Sequence, residues 1–186
     1  MWPQSVSVRN FYLGHLSRPA HDRPIYQLIR RHGLRRIVEL GVGLADRSAR
    51  MIEVAASAHA VDEVVFTGVD LFELRAPQDG PGLSLKLVHR RLAATGAKIR
   101  LLPGDSYAAL ARTFNMLGGA DLVVVSADQN RNELDRSWFY IDRLLHDRSH
   151  VLVQEPAARG HEGAFRAVSS AEIRQRATTI QRRRAA

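Results

Sequence analysis

The chain contains no cysteine. That excludes disulfides, cysteine-held zinc, iron–sulfur clusters and thiol catalysis. Lysine is scarce as well: with only Lys86 and Lys98, arginine supplies 25 of the 27 basic residues. Aromatic residues make up 6% of the chain, and none follows Phe165. No apolar run approaches the ~18–20 residues a membrane span needs. The start, Met1-Trp2-Pro3-Gln4-Ser5, lacks the basic-then-apolar order of a secretory signal. A reducing cytoplasm is therefore the expected location.

What is present is an ordinary globular balance: 186 residues, 45% hydrophobic and 25% charged. That length suits one domain with a real core. The net charge is +8. Residues 160–186 carry six arginines against Glu162 and Glu172, or +4, half of that excess. A basic terminus permits nucleic-acid contacts. Arginine is abundant along the whole chain, however, and the tail has no aromatic for base stacking. A solvated helix end is the preferred reading.

Residues 1–22 show no clean period and read as a partly ordered arm, leaving residues 23–186 as the main domain. From Arg23 to His32, Pro24 sits in a first turn and Ile25, Leu28 and Ile29 recur at helical spacing, with Gly33 as the stop. Five short apolar runs follow, at 36–40, 64–70, 98–102, 121–126 and 150–154. Helical patterns separate them at about 46–59, 84–95, 106–116 and 132–145. Strands alternating with helices predict an α/β fold of Rossmann-like, three-layer form: a mostly parallel sheet with helices on both faces. Beyond Pro156 the pattern weakens, with a short strand near 164–168 and a helix from Ser170 to Arg184.

Ligands of such sheets bind beyond the carboxyl ends of the strands, so the residues just after each strand carry the functional question. Gly41 and Gly43 follow the first strand in Glu39-Leu40-Gly41-Val42-Gly43. They permit a sharp turn and close approach of a ligand to the backbone, next to a helix start that favours anions. Asp70 ends the second strand, where a carboxylate can accept hydrogen bonds from both hydroxyls of a ribose. Asp105 ends the third strand and can meet an adenine amine, although Gly-Asp-Ser is also a good helix start. The eight histidines are scattered without metal-ligand spacing.

Glu39-Leu40-Gly41-Val42-Gly43, Asp70-Leu71, Gly104-Asp105-Ser106 and Asp121–Asp128 occur in the order of the class I S-adenosylmethionine-dependent methyltransferases. The resemblance covers roughly residues 23–156 and is nearest to the small-molecule O-methyltransferases. It implies a seven-stranded sheet in the order 3-2-1-4-5-7-6 with strand 7 antiparallel, and S-adenosylmethionine as cofactor. It places Glu39 near the methionine amino group and the cofactor over Gly41 and Gly43. Asp70 falls on the ribose, Leu71 against the adenine, and Asp105 on the adenine amine with Ser106 beside it. Two departures stand out. Ala45 replaces a frequent third glycine, a mild change by size. Ser126-Ala127-Asp128-Gln129 replaces the Asp-x-Asp-His stretch of the metal-using members. With the first acid and the histidine both gone, no metal is expected, because a hard cation wants clustered carboxylates.

The expected function is thus a methyltransferase acting on a small molecule, with no catalytic residue assignable. Asp128 and Glu155 are candidates for an acid–base pair across the cleft, and Gln129 and Asn130 for orienting a substrate. A nicotinamide-dependent reductase fits less well, because Gly41-Val42-Gly43-Leu44-Ala45-Asp46 ends in an acid where the dinucleotide pattern has glycine. A non-enzymatic or RNA-directed protein on the same fold is the other alternative.

The tail reading makes a direct prediction. Deleting residues 178–186 should change stability by no more than about 0.5 kcal/mol. Thermal unfolding and RNA binding across a salt series check it. An RNA complex whose steep salt dependence vanishes on truncation contradicts it.

Overall fold

The computed structural model describes residues 6–156 and 163–185. Six strands form one sheet: β1 (Arg36–Leu40), β2 (Val65–Asp70), β3 (Lys98–Pro103), β4 (Ala120–Val125), β5 (Leu145–Gln154) and β6 (Phe165–Ala167). Their spatial order is β3-β2-β1-β4-β5-β6. The first five run parallel, and β6 pairs antiparallel with β5. This is the expected α/β sheet. The order reverses between β1 and β4, and that reversal opens the crevice at their carboxyl ends.

Strand periodicity builds the two cores. Successive side chains of a strand face opposite sides. Ile37, Leu122 and Val124 therefore point into one core, and Val38, Val123 and Val125 into the other. The first is closed by α2 (Arg23–His32), α3 (Asp46–Ala55) and α4 (Leu85–Ala93), through Ile25, Ile29, Met51, Ile52, Val88 and Leu92. The second is closed by α5 (Ser106–Leu117), α6 (Arg131–Leu144) and α7 (Ser170–Ala185), through Leu110, Trp138, Ile141 and Ile173. Trp138 is fully buried in this second core.

Several elements differ from the sequence-based expectation. Residues Val6–His15 form a regular helix, α1. Its Leu13 is buried in the same core as Ile25 and Tyr26, Arg9 pairs with Glu53 of α3 at 2.6 Å, and Gln27 Nε2 donates to the Gly14 carbonyl at 2.8 Å. The period was hard to read because apolar residues of this helix also face solvent: Val8, Phe11 and Tyr12 are exposed. At the far edge, the sheet has one strand fewer among the described residues than the resemblance implied. The antiparallel strand is present as β6, and the chain then turns into α7, whose Ile173 and Ala177 are buried with Val168. β5 begins earlier than expected, because Leu145 pairs with Ala120 across a register irregularity.

Ala45 is not the mild change its size suggested. It lies buried before α3 at φ 61°, ψ 15°, a left-handed conformation that costs a non-glycine residue about 1–2 kcal/mol. The turn accepts the strain because Ala45 N–H donates to the Val42 carbonyl at 3.0 Å.

The docking of α1 predicts a core-sized penalty for truncating the deeply buried Leu13. Leu13→Ala should destabilise the protein by about 2–5 kcal/mol, the range for buried leucine truncations. Urea unfolding measures it, and a loss below about 1 kcal/mol would mean that α1 adds little to the core.

Candidate functional site

The carboxyl ends of β1, β2, β3 and β4 bring Glu39, Gly41, Gly43, Asp70, Asp105 and the Ser126–Asn130 loop together. Asp70 is the centre of this edge. Its side chain is nearly inaccessible. Oδ2 accepts from the Gly43 amide at 2.8 Å and Oδ1 from the Phe72 amide at 2.9 Å. Arg75 then donates a two-pronged fork, Nε to Oδ1 and Nη2 to Oδ2, both at 2.6 Å. Burial works against the Asp70 charge, but the fork and the two amides outweigh it and hold the carboxyl below the usual carboxylate range. Arg75 Nη1 continues to Asp128 Oδ2 at 2.8 Å and to the Asp79 carbonyl.

Glu39 is fully buried, at 0% exposure. Its partners come from α3: Arg47 Nε donates to Oε1 at 2.6 Å, and the Ser48 hydroxyl donates to Oε2. Burial pushes the Glu39 carboxyl above its ordinary value, against the pull of Arg47 and then Ser48. Arg47 also reaches the Gly41 carbonyl at 3.1 Å and the Ser126 hydroxyl, and it lies over the Phe165 ring with 5.3 Å to the centroid. Ser126 Oγ donates to the Gly41 carbonyl at 2.8 Å. Gly41 has no room for a side chain: a Cβ there would stand 2.6 Å from Asp128 Oδ1 and 2.7 Å from Ser126 Cβ, at φ +92°.

Asp105 caps α5, with Oδ1 accepting from the Ala108 amide at 2.8 Å. Ser106 is buried and accepts from the Ser137 hydroxyl at 3.0 Å. Asp70, Leu71, Arg75, Asp105, Ser106 and Asp128 share the wall of one small cavity of about 50 Å³. A second cavity of about 300 Å³ lies beyond the ends of β4 and β5, lined by Ser126, Gln129, Leu134, Asp135, Gln154 and Arg176 among others.

The proposed acid–base pair is not assembled here: Asp128 is taken by Arg75, and Glu155 stands 3.6 Å from Arg166. Asn130 spends its carbonyl on capping α6, accepting from the Asn132 and Glu133 amides. Gln129 lies against Gly41 and donates to Asp128 Oδ1 at 3.2 Å. Among the described residues, no group of three or more His, Cys, Asp or Glu side chains is placed to hold a metal ion.

No protein-family model and no curated protein matches the chain. Solved structures do. The chain superposes over its full length on 79% of the O-methyltransferase TomG from Streptomyces achromogenes, involved in tomaymycin synthesis and solved with S-adenosylmethionine, at TM-score 0.53 and 15% identity. It also superposes over 74% of its length on 62% of a precorrin-6y C5,15-methyltransferase from Geobacter metallireducens, at TM-score 0.51 and 14% identity. The chain has the class I methyltransferase fold. It spans less than two thirds of several methyltransferase chains it matches, 36% of one of them.

Within that fold, sequence reasoning located the strand-end acids but missed Arg47 and Arg75, the two side chains that engage them. Neither belongs to a motif. Their only signal is an arginine eight residues after Glu39 and another five after Asp70, in a chain where arginine is everywhere. It also missed that His32, His59, His146 and His150 share a wide cleft with Asp121 and Arg148 at the opposite end of the sheet. His146 Nε2 lies 3.0 Å from Asp121 Oδ1, and the rings of His32 and His150 lie 4.6 Å apart.

The Asp70 network has a pH signature. A carboxyl held below its unfolded value of about 3.9 contributes stability that is fully present at neutral pH and is lost as pH falls below that value, through the folded one. The stability difference between the wild type and Asp70→Asn should therefore be constant from pH 7 to about 5 and shrink toward pH 3. Urea titrations across that range test it, and a gap that widens on acidification contradicts it.

Proposed function

We propose that this protein is an S-adenosylmethionine-dependent methyltransferase acting on a small molecule, with the cofactor site carried by residues 23–186. The observation that carries the reading is the pairing of Asp70 with the Gly41–Gly43 turn. A buried carboxylate is fixed by the Gly43 amide at 2.8 Å, at the strand reversal where such folds bind ligands. The donor set tests the fit. Asp70 already accepts two parallel N–H groups from Arg75, the demand that two neighbouring ribose hydroxyls would meet in their place. Leu71, Asp105 and Ser106 border the same cavity, where an adenine would lie. At the other end, Glu39, the Gly41 carbonyl and Ser126 form an acceptor-rich wall now satisfied by Arg47, chemistry suited to an amino group.

S-adenosylmethionine, when bound, supplies a methyl group on a positively charged sulfur. The chain's own residues have the task of alignment, the main source of rate in such a displacement. The cavity beyond β4 and β5 is of small-molecule size at about 300 Å³ and adjoins Ser126 and Gln129. Asp135 stands in its wall, where a proton released by a hydroxyl acceptor can be taken up. No metal enters this reading.

Calorimetry with S-adenosylmethionine, S-adenosylhomocysteine and NAD tests it. The expected result is low-micromolar binding of a sulfur cofactor, about −8 kcal/mol. Asp70→Asn should weaken it by about 1.5–3 kcal/mol, the worth of a hydrogen bond to a charged group. Binding of NAD and of neither sulfur compound would overturn the assignment.

A further inference from the structure

The cavity beside Asp70 holds about 50 Å³, whereas small-molecule sites span roughly 300–1,000 Å³. Arg75 takes up part of that space. Its guanidinium, 7% exposed, makes both bonds of the fork to Asp70. It also bonds Asp128 at the end of β4 and the Asp79 carbonyl in the loop that follows β2. Gly82 lies flat on its stem, since a Cβ there would come within 2.5 Å of Arg75 Cδ. The same loop covers the glycine turn, with the Leu83 amide donating to the Gly43 carbonyl at 3.2 Å. One side chain thus ties the ends of β2 and β4 and the 76–83 loop across the place where a ribose would sit.

The geometry points to Arg75 as an internal competitor for the nucleoside: its guanidinium occupies the hydrogen-bond acceptors of Asp70, and a ribose-bearing ligand binds by displacing it. This rests on the adenosine-site reading above. Asp70 is built for such an exchange. When Arg75 leaves, the Gly43 and Phe72 amides stay on the carboxylate, so it keeps its position and its charge. The two donors of the fork are replaced by the two hydroxyls of a ribose, and the count of hydrogen bonds at Asp70 is unchanged. Arg75 gives up Asp128 and Asp79 as well, and the 76–83 loop loses its tie. The apparent affinity is lowered by the fraction of molecules in which Arg75 is engaged. Arg75 accordingly sets cofactor affinity without contributing to the bound complex.

The test is calorimetry of the full chain with S-adenosylhomocysteine and with adenosine, for the wild type, Arg75→Ala and Arg75→Gln. Thermal unfolding confirms that each variant is folded. Arg75→Gln keeps the stem and loses the charged fork, so it carries the test if Arg75→Ala does not fold. The expected result is tightening of both ligands by ten-fold or more in the variants. Hydrogen exchange of the 76–83 amides should also rise in the wild type on saturation with S-adenosylhomocysteine. Equal or weaker binding by folded variants overturns the inference and leaves the cofactor reading standing. Tightened binding of adenosine with no binding of S-adenosylhomocysteine supports the inference and removes the cofactor reading. If neither ligand binds any of the three proteins, both fall.

Discussion

The carboxylate of Asp70 ties together several segments at the carboxyl edge of the sheet. Through the Gly43 amide it fixes the turn after β1, and through the Phe72 amide it fixes the exit from β2. Through Arg75 it reaches β4 and the loop above the turn. A nearly buried acid is costly unless its oxygens are satisfied, and here four N–H groups meet that demand. The strand ends are consequently held together through one buried group.

The second buried acid follows the same rule with different partners. Glu39 is matched by Arg47 and Ser48, both in the first turn of α3. Arginine suits this task because its planar fork spreads one charge over several acceptors: Glu39, the Gly41 carbonyl and the Ser126 hydroxyl. Lysine is a point charge and would leave some of them unmet. The scarcity of lysine in the chain, striking in the composition alone only as a bias, thus acquires local meaning at these two sites. Arg47 and Arg75 are each cancelled by a buried acid, so the +8 net charge arises elsewhere in the chain.

The apolar framework sets where these charges stand. β1 and β4 send alternate residues into the two cores, and each core is capped by its own set of helices. That leaves the strand ends, not the faces, as the places where polar groups gather. One end collects Glu39, Asp70, Asp105 and Asp128. The other collects Asp121 and four histidines. Burial and the neighbouring His32 hold His150 below its ordinary value, as expected of imidazoles crowded into a cleft.

The five parallel strands, the helices between them, the glycine turn and the acids at strand ends were all legible in the sequence. Each is a local pattern: period two against period 3.6, a glycine where φ is positive, an acid closing an apolar run. The helix in residues 6–15 was not legible, because Val8, Phe11 and Tyr12 face solvent while Leu13 is buried, and its period is therefore faint. The strain at Ala45 was hidden as well, since size says nothing of φ. Nor did any local pattern indicate that Arg47 and Arg75 would close on Glu39 and Asp70, or that Asp128 would face Arg75 rather than Glu155. Those pairings join β1 to α3, and β2 to β4 by way of a loop. They depend on where a long side chain ends in space, and a flexible arginine takes that position only after the strands are packed. The sequence alone determined the sheet and which acids stand at its edge. The tertiary structure alone decided what those acids hold.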